Sequence, residues 1–221
     1  LSLSEIARRV SLHKSTAHRL LASLEAKGFV LRDPETERYR LGYRVWELSA
    51  NLSQSDDPAQ ILLPEMERLC DLIGETISLY VRDGHERIRI QAVQSIHPVR
   101  RVAPIGERMS LFVGASSKVL LAYAEPEVRQ ELLESGNRPA FIDKETFLRQ
   151  LEEIRKQGYA TSFEEREPGA AAFAVPLFNR AGKLVAALSV SGPSNRWTIT
   201  EMQKFAPQII AFAGRMGKML K

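Results

Sequence analysis

Cysteine occurs once in 221 residues, at Cys70. A single thiol excludes an intrachain disulfide framework and a cysteine-built zinc site, and its apolar helical surroundings make it a small core residue. The four histidines, His13, His18, His85 and His97, are scattered. No His-Glu-x-x-His or comparable pair supplies metal ligands. No apolar run reaches the roughly 18 residues that a membrane span needs. Phosphate cradles of the G-x-G-x-x-G or Walker type are missing. A Ser-x-x-Lys nucleophile fails at Lys118, because the residue three before it is Ala115. Glu164-Glu165-Arg166-Glu167, ahead of Pro168-Gly169, reads as a solvated loop rather than as paired catalytic carboxylates. Repeats and low-complexity tracts are also absent. The chain is therefore expected to use no cofactor and no metal, and to be no enzyme.

What is present is an ordinary globular composition, 44% apolar and 26% charged, over a length that suggests two domains. Net charge is +4, and its location says more than its size. Residues 1–53 hold nine Lys/Arg against six Asp/Glu, whereas residues 54–221 hold 22 against 21. The positive excess sits at the N-terminal end, as counterion release from a polyanion requires. A bacterial, cytoplasmic protein without membrane attachment is the simplest expectation.

Residues 4–24, SEIARRVSLHKSTAHRLLASL, fit two short amphipathic helices joined by a tight turn near Val10–His13. Ser4 is the expected N-cap of the first, whose Ile6, Ala7 and Val10 share a face. In the second, Ala17, Leu20, Leu21 and Leu24 form the expected buried stripe. The opposite face carries Ser15 and Arg19, flanked by Thr16 and His18. One long cation among short hydroxyls suits a DNA major groove. Lys27-Gly28 stops the helix. Phe29–Arg32 and Arg38–Leu41 then read as two strands around the turn Asp33–Glu37. A helical pair followed by a basic hairpin is the winged helix-turn-helix pattern. Arg19 is expected to read a base or clamp a phosphate, supported by Ser15, Thr16 and His18, with Lys14 and Arg38 on phosphates. Such a domain normally has a helix before this point, so the numbered chain is expected to lack one.

A linker helix is expected over residues 43–53, with a boundary near 54–57. Its Val45, Trp46, Leu48 and Leu52 fall in register, and a short helix of this kind needs a partner surface, here a dimer contact. Asp57-Pro58 opens the second domain, with a helix kinked at Pro64 and stopped at Gly74. Strands follow at 76–81 and 87–93 around Asp83-Gly84, with an extended stretch at 99–103. Residues 106–117 read as loop and 118–124 as helix. Further helices are expected at 127–133 and 144–157, strands at 172–178 and 184–191, and a last helix capped at Thr200 with Gln203. The fold class is α+β: a winged helix-turn-helix over residues 1–42, the linker helix 43–56, and a domain over 57–221 with a mostly antiparallel sheet.

Four segments, LSLSEIARRVSLHKSTAHRLLASLEAKGFV, the wing ending RYRLG, Gly74-Glu75-Thr76, and the closing ALSVSGP, resemble the isocitrate-lyase-regulator (IclR) family of bacterial transcription factors. The resemblance covers essentially the whole chain. It implies a DNA-reading winged helix, a helical linker, and a GAF-like effector domain enclosing a small-molecule pocket. It also implies operator binding as homodimers or dimers of dimers (homotetramers), modulated by small organic or aromatic acids.

The residues agree with such a pocket. Gly114-Ala115-Ser116-Ser117 before a helix presents free backbone N–H groups to an anion. Ser189 and Ser191 share one strand face with Ala187, opposite Ala186, Leu188 and Val190. The resemblance implies that an effector carboxylate is held by the amides of Ala115 and Ser116 and by Ser189 and Ser191, with Met109 as an apolar wall. Ser162 stands where several acid-responsive relatives carry Asp, and Ala172 where they carry Cys. Both departures remove polarity, which suggests a carboxylate ligand with a larger or more apolar body, aromatic rather than a short keto acid. A small-molecule-metabolising enzyme with an accessory helical domain is the alternative.

Overall fold

Ser2, not Ser4, starts the first helix, α1 (Leu3–Arg9), in the computed structural model. Its hydroxyl accepts the Glu5 N–H at 3.3 Å, and the Glu5 carboxylate accepts the Ser2 N–H at 2.6 Å. Ser2 has the better cap because Glu5 lies three residues on and can reach back. The structure describes residues 1–52, 57–100, 104–135 and 139–221, and the chain divides after Asp57 into two units.

In the first unit, a turn with Ser11 at φ 53° leads to α2 (Lys14–Ala26). Ala7, Ala17 and Leu21 are buried at the pairing of α1 with α2. The expected buried stripe is narrower than its spacing suggested. Leu20 and Leu24 stay 49% and 42% exposed, and Val10 is exposed too, because no described element covers that flank. Gly28 takes φ 75° after the helix, and β1 (Val30–Arg32) pairs antiparallel with β2 (Tyr39–Leu41). The Asp33 carboxylate accepts the Glu35 and Thr36 amides and closes the intervening turn. Gly42 lies so close to the Gly28 carbonyl that a Cβ there would collide with it. Helix α3 (Tyr43–Leu52) follows. The expected boundary falls largely on residues 53–56, outside the described residues.

The second unit opens with α4 (Pro58–Ile61) and α5 (Leu63–Ile73); the expected kink is a full break, with Pro64 in the first turn of α5. Gly74, at φ 80°, ends α5. Strands β3 (Thr76–Asp83) and β4 (Glu86–Val93) form a hairpin around Gly84. Residues 106–117 are not all loop. They contain β5 (Arg108–Ser110), an edge strand beside β4, and the start of α6 (Ala115–Ala122). Helices α7 (Pro126–Glu134) and α8 (Lys144–Gln157) come next, then β6 (Ala160–Phe163), a strand missing from the expectation. It is short, and half of its apolar pattern is taken by Thr161 and Ser162. Strands β7 (Ala170–Phe178) and β8 (Leu184–Pro193) precede α9 (Ile199–Met219). Thr198 rather than Thr200 caps α9, by accepting the Glu201 N–H. Val99 and Arg100 join no strand, and 101–103 fall outside the described residues.

Among the described residues the sheet of the second unit has six strands in the order β5-β4-β3-β8-β7-β6, every neighbouring pair antiparallel. Helices cover both faces. On one, α5 and α9 pack on Ile77, Leu79, Phe173, Leu188 and Val190. On the other, α6, α7 and α8 close over Tyr80, Ala174 and Ala187. Ala186, Leu188 and Val190 thus belong to one core and Ala187 to the other, because alternate residues of a strand face opposite sides.

Candidate nucleic-acid interface and ligand cavity

In the first unit, α2 holds Lys14, Ser15, His18 and Arg19 exposed, with Thr16 half-buried at their edge. They are available together because Ala17 and Leu21 anchor the opposite side. Arg38 sits apart, just before β2, and its guanidinium reaches the Glu5 carboxylate at 3.3 Å while more than half of its side chain stays in solvent. Hydrogen bonds from the Ser2 amide and hydroxyl, with a smaller part from Arg38, hold the Glu5 carboxyl below its ordinary value. Arg32 pairs with Glu37 at 2.6 Å across the wing turn. Two of the wing's three arginines therefore have acidic partners, Arg32 within the wing and Arg38 on α1, and Arg40 is exposed on β2.

In the second unit, antiparallel register assembles a polar patch on the sheet face under α6. Ser162 lies opposite Ala172, Ala172 opposite Ser191, and Ser191 opposite Thr76, in one row across four strands. The next row on that face aligns Ala174, Ser189 and Ser78. A cavity opens above these rows, and Ala115, Ser116, Ser162, Ala172, Ser189 and Ser191 all line it. Met109 is buried beside it rather than in its lining. Ala115 and Ser116 are the first two residues of α6, whose amides lack intrahelical acceptors. The six side chains come together because each lies on the same sheet face or at the end of the helix that crosses it.

The same cavity holds charge that sequence reasoning missed. Arg87 and Arg89 occupy alternate positions of β4, so both point to the α6 side, and they are 4% and 2% exposed. The Arg87 guanidinium donates to the Ser116 hydroxyl, donates to Met109 Sδ at 3.5 Å, and lies 4.7 Å from the centroid of the Tyr80 ring. Among the described residues its Nε has no hydrogen-bond partner. Burial pushes this guanidinium down to about 10, a value that still leaves it charged at neutral pH. Arg89 donates to Ser78 Oγ, opposite Ser189 in the row below. Arg166, on the segment after β6, also lines the cavity and stands 3.5 Å from Glu107. The missed signal was the Arg-Ile-Arg alternation in ERIRIQAV. It becomes informative only once β4 is known to be an inner strand of a sheet covered on both faces, where a charged inward row is costly.

A family model for the IclR C-terminal domain of bacterial transcriptional regulators matches residues 51–217, and one for the IclR helix-turn-helix domain matches residues 1–34. The chain belongs to the IclR family of transcriptional regulators. It is 30% identical to the HTH-type transcriptional regulator KdgR of Escherichia coli K12 over all of this chain and 86% of that protein. It is 34% identical to the E. coli K12 HTH-type transcriptional repressor AllR, over 89% of this chain and 74% of the repressor. The crystal structure of an IclR homologue from Microbacterium hydrocarbonoxydans, complexed with 4-hydroxybenzoate, superimposes with a TM-score of 0.82 at 28% identity, covering 97% of this chain and 90% of that one. These relatives are regulators and repressors, so this member of the IclR family is a transcriptional regulator and not an enzyme. Among the described residues, no helix is long and apolar enough to cross a membrane, and no cluster of His, Cys, Asp or Glu could hold a metal.

Proposed function

We infer that this IclR-family regulator binds operator DNA through α2 and the wing, in the cytoplasm, and that a small organic or aromatic acid in the cavity of the second unit modulates that binding. The observation that carries the reading is the buried Arg87 guanidinium, aimed with Ser116 at a space bordered by Ser189, Ser191 and the first amides of α6. A buried cation next to unfilled amides favours an anion, and a carboxylate takes charge-assisted hydrogen bonds from both. The 4-hydroxybenzoate complex of a homologue agrees with an acid effector. The residue roles follow. Arg19 contacts a base or phosphate beside Ser15, Thr16 and His18, and Lys14 and Arg38 contact phosphates. Ala115, Ser116, Ser189 and Ser191 hold the carboxylate, while Ser162 and Ala172 border its body.

On a duplex selected from a random pool, Arg19→Ala should cost about 1–3 kcal/mol of affinity and relax preference at one base pair. An equal loss on every sequence would make Arg19 a phosphate contact. Thermal melting with 4-hydroxybenzoate as first probe should raise the midpoint of the second unit by mass action. A screen of organic acids that moves neither the melting point nor DNA affinity would overturn the effector reading.

A homodimer, or a dimer of dimers, is part of the same proposal. Leu41, Tyr43 and Trp46 are each more than 70% exposed and border one apolar recess of the first unit. Covering such a patch with a second copy removes apolar area from water. Sedimentation of Trp46→Ala should show a shift toward monomer; a variant that stays fully dimeric counts against this contact.

A further inference from the structure

Among the described residues, the cavity lining includes three arginines, Arg87, Arg89 and Arg166, and no carboxylate. Their placement is graded. Arg87 bonds to Ser116 at the start of α6, and Arg89, equally buried, stands two residues along the same strand. Arg166 is about one-third exposed, so it marks the solvent side of the same space. Glu107 is the acid that approaches Arg166, at a loose 3.5 Å. Glu107 favours the charged form of Arg87, whereas Arg166 and Arg89 oppose it, each across space rather than by contact. Arg87 and Arg166 thus line one space, at its buried side and at its solvent side, and Glu107 is the acid that pairs with Arg166. A monoanion seated at Ser116 would meet Arg87 and leave Arg166 with that long, partly solvated pair.

We propose that the cavity is selective for a dianion, a small dicarboxylic acid whose first carboxylate meets Arg87, Ser116 and the opening amides of α6, and whose second carboxylate meets Arg166. Glu107 is the group the second carboxylate replaces at Arg166. Its long, partly solvated pair is the weaker one, because a ligand carboxylate can approach the guanidinium in the bidentate geometry that Glu107 does not use. Tyr80, with its ring under Arg87, and Ala170 and Ala172 leave room for the carbon skeleton between the two ends. This inference rests on the acid-effector reading, and it restricts which acids qualify.

The test is isothermal titration calorimetry on the full chain at pH 7.5 with matched pairs, glutarate against butyrate and terephthalate against benzoate. Each diacid should bind about tenfold or more tightly than its monoacid, an advantage that shrinks as salt is added. Arg166→Gln, a change at a partly exposed side chain, should bring the two members of each pair to within about twofold. Its melting temperature serves as the folding control. Monoacids that bind wild type as tightly as diacids overturn the dianion inference and leave the acid-effector reading standing. A diacid advantage that survives Arg166→Gln in a folded protein overturns the assignment of Arg166. Binding of neither member of any pair overturns both readings.

Discussion

The two units solve opposite electrostatic problems. The first keeps the cations proposed to meet DNA in water: Lys14, Arg19 and Arg38 are exposed, as is Arg40, and among the described residues its buried apolar side chains are few, chiefly Ala7, Ala17, Leu21 and Tyr39. The second places Arg87 and Arg89 under a helix that is buried along its whole length, between two extensive cores. Exposed cations can exchange counterions for DNA phosphates at little desolvation cost, which suits a partner whose affinity falls steeply with salt. Buried cations have already lost their hydration on folding, so a small anion that reaches them gains much and depends less on salt. The same residue type serves a broad, screened surface in one unit and a narrow, weakly screened site in the other.

The comparison breaks most visibly at Arg87. Arg87→Gln keeps an amide donor on a shorter side chain and removes the charge. It should cost about 2 kcal/mol or more of acid affinity, roughly 30-fold, by titration calorimetry. A loss under twofold would mean that the serines and helix amides suffice and that the buried charge is incidental.

A smaller effect tests whether the units are separate in stability. Gly217 packs on the Phe178 carbonyl, as Gly42 packs on the Gly28 carbonyl, and neither has space for a Cβ. Gly217→Ala should destabilise the second unit, and Gly42→Ala the first, each by about 1–3 kcal/mol. Scanning calorimetry should show each variant lowering one transition only. A variant that lowers both would make the two units one cooperative block.

The smallest effect lies at the start of the chain. Ser2→Ala removes the cap of α1 and should cost the first unit about 1 kcal/mol. Glu5 and Asp33 sharpen this through pH. Hydrogen bonds to Ser2 hold Glu5 below its ordinary value, and those from Thr36 and Glu35 hold Asp33 below its own. A depressed folded-state value means the stabilisation is present above the ordinary carboxylate range and is lost as pH falls through the folded value. Circular dichroism melts should therefore show the first unit weakening as pH drops from 5 toward 3, less so in Glu5→Gln.

The helical pair, the wing and most of the long elements were legible because each declares itself within a dozen residues: a period, a cap, a glycine stop. Lys144–Gln157 is a case, with Asp143 to start it and Gly158 to end it. Ala115, Ser116, Ser189 and Ser191 were reachable by the same local logic, helped by family resemblance. Three kinds of feature were not. Strands β5 and β6 are too short to show a period and exist through their neighbours. The caps at Ser2 and Thr198 competed with other hydroxyls two residues on. Arg87, Arg89 and Arg166 come from β4 and from the segment after β6, and they meet only through strand order; nothing local distinguishes a buried arginine on a strand from a solvated one.

The register rows of the second unit carry a last consequence, for how such a protein can change over generations. Ser162, Ala172 and Ser191 share a row, and Leu188 and Val190 fill the core behind it. Any one of these positions can be exchanged to reshape the cavity with its neighbours in place. Gaining or losing a single residue within β8 is another matter. It would turn Ser189 and Ser191 into the apolar core and drive Leu188 and Val190 into the cavity, inverting both sides at once. Ligand preference in this sheet is open to drift by substitution and closed to insertion and deletion, which should be confined to the turns.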